Sequence, residues 1–229
     1  RGVRISTAAQ CRALDAEAIE RGVPGIALME TASHAVARVA REQFDGDRVL
    51  VLCGGGNNGG DGYAAARWLR VWGYDVAVRS LSDSSKGDAG IMREAAVRHG
   101  VPEADDAFEP DLVIDAVFGT GLTREVEGAA RSALERAAAY GVPVLAVDLP
   151  SGLHADTGEV LGYVLKADHT VTFGRHKPAF YTPGRAYTGP ITCVDIGLHA
   201  SAHTTARVLG PADLRAPARP ALAHKNRLG

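Results

Sequence analysis

The chain has 229 residues, 46% of them hydrophobic and 23% charged, which is ordinary for a soluble globular protein. Its formal net charge of −2 argues against a surface that binds nucleic acid or anionic lipid. No apolar run is long enough to cross a bilayer, and residues 1–4 do not resemble a signal peptide. The three cysteines, never in C-x-x-C spacing, favour reduced thiols. We therefore expect a cytoplasmic protein with no nucleic-acid or membrane partner.

Two helices are predicted ahead of the first long strand. Thr7-Ala8-Ala9-Gln10 is a possible capping box that opens a helix over residues 7–21, and a second helical pattern covers residues 25–42. From residue 48 onward strands and helices alternate. Strands are predicted over 48–53, 75–81, 111–117, 142–148, 168–173 and 190–196, and helices over 63–72, 89–99 and 129–140. This alternation indicates βαβ units.

These elements predict an α/β fold, a Rossmann-like three-layer αβα sandwich with a mostly parallel sheet and two leading N-terminal helices. One domain is expected over residues 1–209. Residues 210–229 are rich in Pro, Ala and Arg and resemble a linker. In sheets of this kind ligands bind at the carboxyl ends of the strands, so the loops that follow the strands are where a site is expected.

Glycine is in excess, with 27 residues, and its densest cluster covers residues 54–62 between a strand and a helix. We expect an ordered turn that needs positive φ and close backbone approach. Gly54-x-Gly56-x-x-Gly59 matches the dinucleotide-binding fingerprint, but the acidic partner at the end of the second strand is weak, with only Asp83 nearby. A P-loop is excluded because Asp61 follows the last glycine where Lys is required.

Three acidic residues fall at the ends of successive strands, next to glycine-bearing loops. Asp61 lies in the loop after the first strand, Asp115 late in the third and Asp148 at the end of the fourth. One reading is that they only cap turns, but their grouping favours a site. Ser151 is no nucleophile elbow, because leucine replaces both flanking glycines.

Several other residues invite a functional reading. His199 and His203, four residues apart, are interpreted as a solvated pair because no acidic or cysteine partner is close in sequence. Cys53 and Cys193 lie in apolar strands and are expected to be small core residues. The pattern leaves open whether Lys177 is structural, solvated or substrate-facing.

The motifs that remain closely resemble those of the NAD(P)H-hydrate epimerase family, the YjeF N-terminal domain. The likeness covers roughly residues 5 to 198 in register. It is carried by Leu28-Met29-Glu30, Asn57-Asn58-Gly59-Gly60-Asp61-Gly62, Asp115-Ala-Val-Phe-Gly119-Thr-Gly121-Leu, Asp148-Leu-Pro-Ser151-Gly152, Thr172-Phe173-Gly174-x-x-Lys177-Pro178, Pro183-Gly184-Arg185 and Val194-Asp195-Ile196-Gly197.

The resemblance implies an isomerase that interconverts the R and S epimers of hydrated NADH and NADPH at C6 of the nicotinamide ring, for repair of these cofactors. Members of the family bind a potassium ion and are typically homodimers. By resemblance the ion receives oxygens from Asn58, Asp115 and Ser151, a set that suits a hard cation. Asp61 and Asp148 are the candidate catalytic groups for proton transfer.

By the same resemblance the substrate is bound by two segments and one strand-end carboxylate. We expect the two asparagines to use left-handed backbone and the loop glycines to allow close approach of the ligand. Arg124 could meet a phosphate. The residues implied in substrate binding are Asn57, Asn58, Gly59, Gly60, Asp61, Gly119, Thr120, Gly121, Leu122, Thr123, Arg124, Glu125 and Asp148.

The sequence departs from the family pattern at Ser33, where glycine is more common, and in the loop 82–88, which has no counterpart basic residue. At the other end, His224-Lys225-Asn226-Arg227-Leu228-Gly229 resembles the His-Lys-Gly-x-x-Gly opening of the hydrate dehydratase domain. We therefore expect residues 210–229 to be a linker and the start of a truncated dehydratase domain fused to this one in the full-length protein.

Two other classes of function stay open. A non-catalytic module of the same fold could use the pocket to bind a nucleotide or dock a partner. A conventional NAD-dependent dehydrogenase would need the acid at the end of the second strand, which is lacking. The polar set Asn58, Asp115 and Asp148 favours catalysis, because a docking module has no need of it.

Overall fold

A six-stranded, wholly parallel sheet forms the centre of the protein, for which a computed structural model describes residues 3–199, 204 and 206–208. The strands of this sheet are ordered β3-β2-β4-β5-β6-β7. In chain order the elements are β1 (Arg4–Ile5), α1 (Ala8–Glu20), α2 (Gly25–Gln43), β2 (Arg48–Cys53), α3 (Asn57–Val71), β3 (Asp75–Ser80), α4 (Gly87–Arg98), β4 (Leu112–Ala116), α5 (Gly128–Ala139), β5 (Val144–Val147), β6 (His169–Phe173), β7 (Ile191–Val194) and β8 (Ala206–Arg207).

Helices cover both faces of the sheet, which confirms the predicted three-layer α/β sandwich. On one face α2, α3 and α4 pack on alternate strand residues such as Val51 and Ile114, and on the other face α5 packs through Leu134 on residues such as Val113. The interior strand β2, which lies between β3 and β4, is buried on both faces, as its continuous apolar run predicts. The core is therefore two apolar layers separated by the sheet.

The two leading helices are confirmed, and α1 begins at the predicted capping box. The Gln10 backbone N–H donates to Thr7 Oγ1 at 3.3 Å, and the Thr7 N–H donates to Gln10 Oε1 at 2.9 Å. Ala18 of α1 packs with Leu28 of α2 and with Ile196, beyond β7. This contact holds α1 close to the carboxyl ends of the strands.

The direction of strand succession reverses between β2 and β4. From β2 the chain continues outward to β3, returns to β4 on the other side of β2, and then proceeds through β5, β6 and β7. The loops that leave β2 and β4 therefore diverge and open a crevice at their carboxyl ends, the usual ligand position in such sheets.

The glycine cluster differs from its prediction in two ways. Helix α3 begins at Asn57 rather than at residue 63, so Asp61 lies on a helix and not in a loop, and Asn57 and Asn58 have helical rather than left-handed backbone. None of the cluster's glycines has positive φ. The reason is close packing: a Cβ on Gly59 would overlap the carbonyl oxygen of Gly54, and one on Gly62 would lie 2.6 Å from Ala116 Cβ.

A few features were not predicted or were predicted wrongly. Strands β1 and β8 form a short antiparallel pair, and two 3₁₀ helices, Pro178–Tyr181 and Pro183–Tyr187, occupy the turn-rich segment before β7. Cys53 is buried as expected, but Cys193 is exposed because β7 is an edge strand of the sheet.

No helix in the described part of the chain is long and apolar enough to cross a membrane. The predicted segment 210–229 lies outside the described residues.

Candidate functional site

A cavity of about 580 Å³ lies at the crevice formed beyond β2, β4 and β5. Its wall includes the start of α3, the loop after β4, Asp148 after β5, and a face of α1. The size is within the usual range of small-molecule sites, about 300 to 1,000 Å³. The sheet topology thus brings residues that are far apart in sequence to one concave surface.

Most of the predicted substrate-binding residues line this cavity. They are Asn57, Asn58, Asp61, Gly119, Thr120, Gly121, Leu122, Thr123, Arg124 and Asp148. Gly59 and Gly60 do not line it, since their hydrogens face Gly54 on one side and Ala89 with Met29 on the other. Glu125 is exposed outside the cavity wall. The two glycines therefore let the start of α3 pack closely, whereas Asn57, Asn58 and Asp61 face the cavity.

Asp61 is a buried carboxyl group that has no cationic partner among the described residues. It is 9% exposed, and its Oδ1 accepts a hydrogen bond of 3.4 Å from Ser33 Oγ. Burial raises the pKa of Asp61 well above its ordinary value, the nearby charge of Asp148 raises it further, and the Ser33 hydrogen bond opposes both. Asp61 therefore holds a proton more readily than an exposed aspartate, and the departure at Ser33 touches it directly.

Asp148 has the opposite surroundings. Its Oδ1 accepts a hydrogen bond of 2.6 Å from Lys177 Nζ and another of 3.0 Å from Thr172 Oγ1. It is the one non-glycine residue with positive φ in the described part of the chain, at 67°. Left-handed backbone is costly for a non-glycine residue, and such strain clusters at functional sites. The unusual turn aims this carboxylate at the cavity.

Lys177 is neither solvated nor free to bind substrate phosphate. Its side chain is 2% exposed, and its ammonium donates to Asp148 and Thr172 and to the carbonyls of Phe173 and Arg175 at 3.3 and 3.2 Å. Burial lowers the pKa of Lys177, but the charge of Asp148 outweighs it and the net shift is upward. The structure thus excludes the solvated interpretation, and Lys177 is a buried side chain that lines the cavity.

Asp115 and Ser151 form a second, fully buried polar pair beside the cavity. Ser151 Oγ donates to Asp115 Oδ1 at 2.6 Å, and the Ser151 N–H donates to Asp115 Oδ2 at 2.8 Å. Burial raises the pKa of Asp115 to about 6, and its hydrogen bonds from Ser151 and the Val117 N–H oppose the shift. No lysine, arginine or histidine in the described part of the chain forms an ion pair with this carboxylate.

Asn58, Asp115 and Ser151 offer the kinds of oxygen ligand that suit a hard cation. The Nδ2 of Asn58 is buried without a hydrogen-bond partner, so its side-chain amide is not committed to other groups of the protein. Among the described residues no group of three or more His, Cys, Asp or Glu side chains could hold a metal. A cation here would therefore rest on carboxylate, hydroxyl and amide oxygens, which are the ligands of a hard ion.

Helix α1 contributes cavity residues that the sequence interpretation did not single out. Cys11, Arg12 and Asp15 line the wall opposite the strand ends. Burial raises the pKa of Asp15 to about 6, with Lys177 opposing and Asp148 adding to the shift. One signal was present in the sequence. Asp15 lies four residues after Cys11 and next to Leu14, so a charged residue stands among the apolar positions of this helix.

Comparison with known proteins shows which family and which proteins the chain is similar to. Residues 25–179 match the family described as YjeF-related protein N-terminus. The chain is 41% identical to an NAD(P)H-hydrate epimerase of Limosilactobacillus fermentum, over 82% of this chain and 95% of that protein. It is 37% identical to a bifunctional NAD(P)H-hydrate repair enzyme Nnr of Methanothermobacter thermautotrophicus, over 95% of this chain but 44% of that protein.

The fold agrees with a solved structure as well. The crystal structure of the yeast protein ynu0, YNL200c, superposes with a TM-score of 0.70 at 22% identity, over 84% of this chain and 88% of that one. The family match covers more than half of the chain, and the first relative is similar over most of both sequences. The chain therefore belongs to the YjeF-related N-terminal family.

Proposed function

We propose that the protein is an NAD(P)H-hydrate epimerase, which interconverts the R and S forms of hydrated NADH and NADPH at C6 of the nicotinamide ring. The observation that carries the proposal is a pair of carboxyl groups in one cavity: Asp61 is buried without a cationic partner among the described residues, and Asp148 accepts a hydrogen bond from the Lys177 ammonium. This is the arrangement that acid–base chemistry at a single centre requires. The names of the similar proteins supply the substrate class.

The chemistry at C6 can proceed by loss and return of water. This carbon bears both the ring nitrogen and a hydroxyl group. The protonated Asp61 donates its proton to the hydroxyl oxygen, the C–O bond breaks with its electron pair, and the nitrogen lone pair forms a C=N bond. Water then adds to the opposite face of the iminium ion and gives a proton to Asp148. The net change is inversion at C6, and one proton has moved from Asp61 to Asp148.

Asp148 has a second role while the iminium ion exists. No hydrogen bond among the described residues reaches its Oδ2, which lies 3.3 Å from the position that a Cβ on Gly119 would occupy. A carboxylate oxygen facing the cavity stabilises a cation that develops there. The proton returns through solvent, or through the reverse reaction, so the cycle closes without redox change.

The remaining cavity residues would bind the dinucleotide. Asn57 and Asn58 lie at the positive end of α3, where backbone N–H groups favour a negatively charged group. The loop Gly119 to Glu125 would wrap the substrate, with Arg124 available to a phosphate. This explains how a chain of net charge −2 can bind a phosphate-bearing ligand.

A potassium ion is proposed at Asn58, Asp115 and Ser151. When bound it would supply positive charge near the substrate and neutralise a buried carboxylate that lacks a cationic partner. The family resemblance and the oxygen-rich donor set support this proposal.

The larger assembly is also a proposal. The resemblance supports a homodimer, which light scattering of the purified protein tests. The free cysteines support a cytoplasmic location. The name and the length of the bifunctional archaeal relative support a fused dehydratase domain in the full-length protein, with one domain over residues 1–209 in front of it. Sequencing the full reading frame decides this, and a stop codon directly after Gly229 would contradict it.

The function is tested by following the epimer ratio of hydrated NADH by chromatography. Starting from the enriched R-hydrate, wild-type protein should speed the approach to equilibrium well above the spontaneous rate. Asp61→Asn and Asp148→Asn should each slow it by about 100-fold or more, because each removes one proton-transfer group. A wild type that binds the hydrate without changing its epimer ratio would instead identify a non-catalytic binding module.

A further inference from the structure

We infer that Lys177 is a positioning residue, which together with Thr172 holds Asp148 as an oriented carboxylate with one oxygen directed to the substrate. The inference rests on the proposed epimerase function and adds to it a residue that acts through Asp148 rather than on the substrate. The three side chains form a closed set of contacts, and Asp148 and Lys177 both line the cavity.

The contacts of the Lys177 ammonium show why it acts indirectly. An ammonium has three N–H donors, and here four acceptors surround it, at 2.6 to 3.3 Å. With its side chain only 2% exposed, no donor remains for a ligand phosphate or carboxamide. Two of the acceptors are backbone carbonyls of Phe173 and Arg175, which fix the ammonium in place.

The contacts of Asp148 show what is fixed. Lys177 Nζ and Thr172 Oγ1 both donate to Asp148 Oδ1, and Thr172 Oγ1 also accepts from Lys177 at 2.7 Å. Each of the three side chains is therefore held by the other two. Oδ2 is left to face the loop at Gly119. A short hydrogen bond between opposite charges is among the stronger ones in proteins, so it holds the Asp148 side chain in one orientation. The left-handed backbone of Asp148 restrains the same residue from the main chain.

Other titratable and charged groups also face this pair, and they must be considered in any pH measurement. They are Cys11 and Asp15 on α1, Asp61 on α3, Cys193 on β7, and Arg175 and His176 next to Lys177 in the chain. Lys177 is the one cation of this group that contacts Asp148 directly. A change at Lys177 should therefore act on the orientation of Asp148 before it acts on the rest.

The matched variants are Thr172→Val and Thr170→Val. Both threonines are fully buried on β6, and the exchange is the same at each, but Thr170 Oγ1 donates to the Thr188 carbonyl and has no contact with Asp148. We expect Thr172→Val to lower kcat by about 10-fold or more with little change in KM, while Thr170→Val retains the wild-type kcat in its folded form.

Lys177→Met gives the stronger test. It should lower kcat by about 100-fold with little change in KM, because Asp148 loses the ammonium that orients it. Circular dichroism establishes that each variant is folded. If Lys177→Met does not fold, the kcat of Thr172→Val compared with that of Thr170→Val tests the positioning role instead.

The two proposals fail in different ways. A wild-type protein that does not epimerise the hydrate contradicts the proposed function. An active wild type whose folded Lys177→Met and Thr172→Val variants keep the wild-type kcat and KM contradicts the positioning role alone. A purely structural role of Lys177 would lower the stability and leave those two readouts unchanged.

Discussion

Replacing Gly59 by alanine tests the claim that close packing, rather than positive φ, explains the glycine cluster. A Cβ at this position would overlap the Gly54 carbonyl oxygen and lie 2.6 and 2.9 Å from the Gly54 carbonyl carbon and nitrogen. All three are backbone atoms, so no side-chain rotation can relieve the contact. Helix α3 must move away from the turn that follows β2.

The expected magnitude follows from the cost of overpacking, about 1 to 3 kcal/mol, from which the usual gain of alanine over glycine in a helix, about 0.5 to 1 kcal/mol, is subtracted. The overlap with backbone atoms places Gly59→Ala at the upper end, a loss of about 2 kcal/mol. For a chain of this size that is a fall in Tm of about 4 to 8 °C. Asn57 and Asn58 would move with the helix, so kcat should fall as well.

The assay is urea denaturation followed by circular dichroism, with Gly56→Ala as the matched control. A Cβ on Gly56 meets nothing within 4 Å, and its φ of −98° is open to alanine. We expect the control to stay within about 1 kcal/mol of wild type, with unchanged m-values. Equal stability of the two variants would refute the packing explanation of the cluster.

Three further predictions concern the cavity. Gly119→Ala puts a methyl group 3.0 Å from Asn58 Oδ1 and 3.3 Å from Asp148 Oδ2, so it should lower kcat/KM by about 10-fold or more. Gly121→Ala, which meets nothing within 4 Å, should lower it less, and the reverse order would contradict the geometry. Potassium at about 100 times its Kd should stabilise the protein by about 2.7 kcal/mol in thermal unfolding, and Ser151→Ala should reduce this gain; an equal gain from lithium would count against a specific site. Asp15 should titrate near pH 6 by carboxyl NMR, and at a lower pH in Asp148→Asn, because the charge of Asp148 raises its pKa. Since its folded pKa lies above the ordinary 3.8, the free energy of unfolding should decline as the pH rises from about 4 to 6, and Asp15→Asn should remove that part of the decline.

The layout of the fold could be read from the sequence because its signals are local. The apolar run at 48–53, the glycines that follow it and the capping box at Thr7 each specify an element without knowledge of the rest. The start of α3 was missed because glycine and asparagine are poor helix formers on their own. Only the packed structure shows that Gly59 and Gly62 must lack a side chain to let the helix approach the sheet.

The site was predictable where a residue follows a strand and not where distant segments meet. Asp115 and Asp148 follow from the rule that parallel strands present their carboxyl ends together. Asp15 and Arg12 line the cavity only because α1 packs across it. The ammonium of Lys177 lies 29 residues along the chain from its partner Asp148, and spacing alone does not pair them. The left-handed backbone of Asp148 likewise has no sequence signal beyond the tolerance of aspartate for it.

The most direct test of the account is epimerisation of the enriched R-hydrate in water labelled with ¹⁸O, with the spontaneous rate subtracted. Loss of the hydroxyl group and return of water to the other face predict that the protein accelerates inversion and that the S-product carries the label at C6. Inversion without label would contradict the loss and return of water. No acceleration over the spontaneous rate would contradict the proposed function itself.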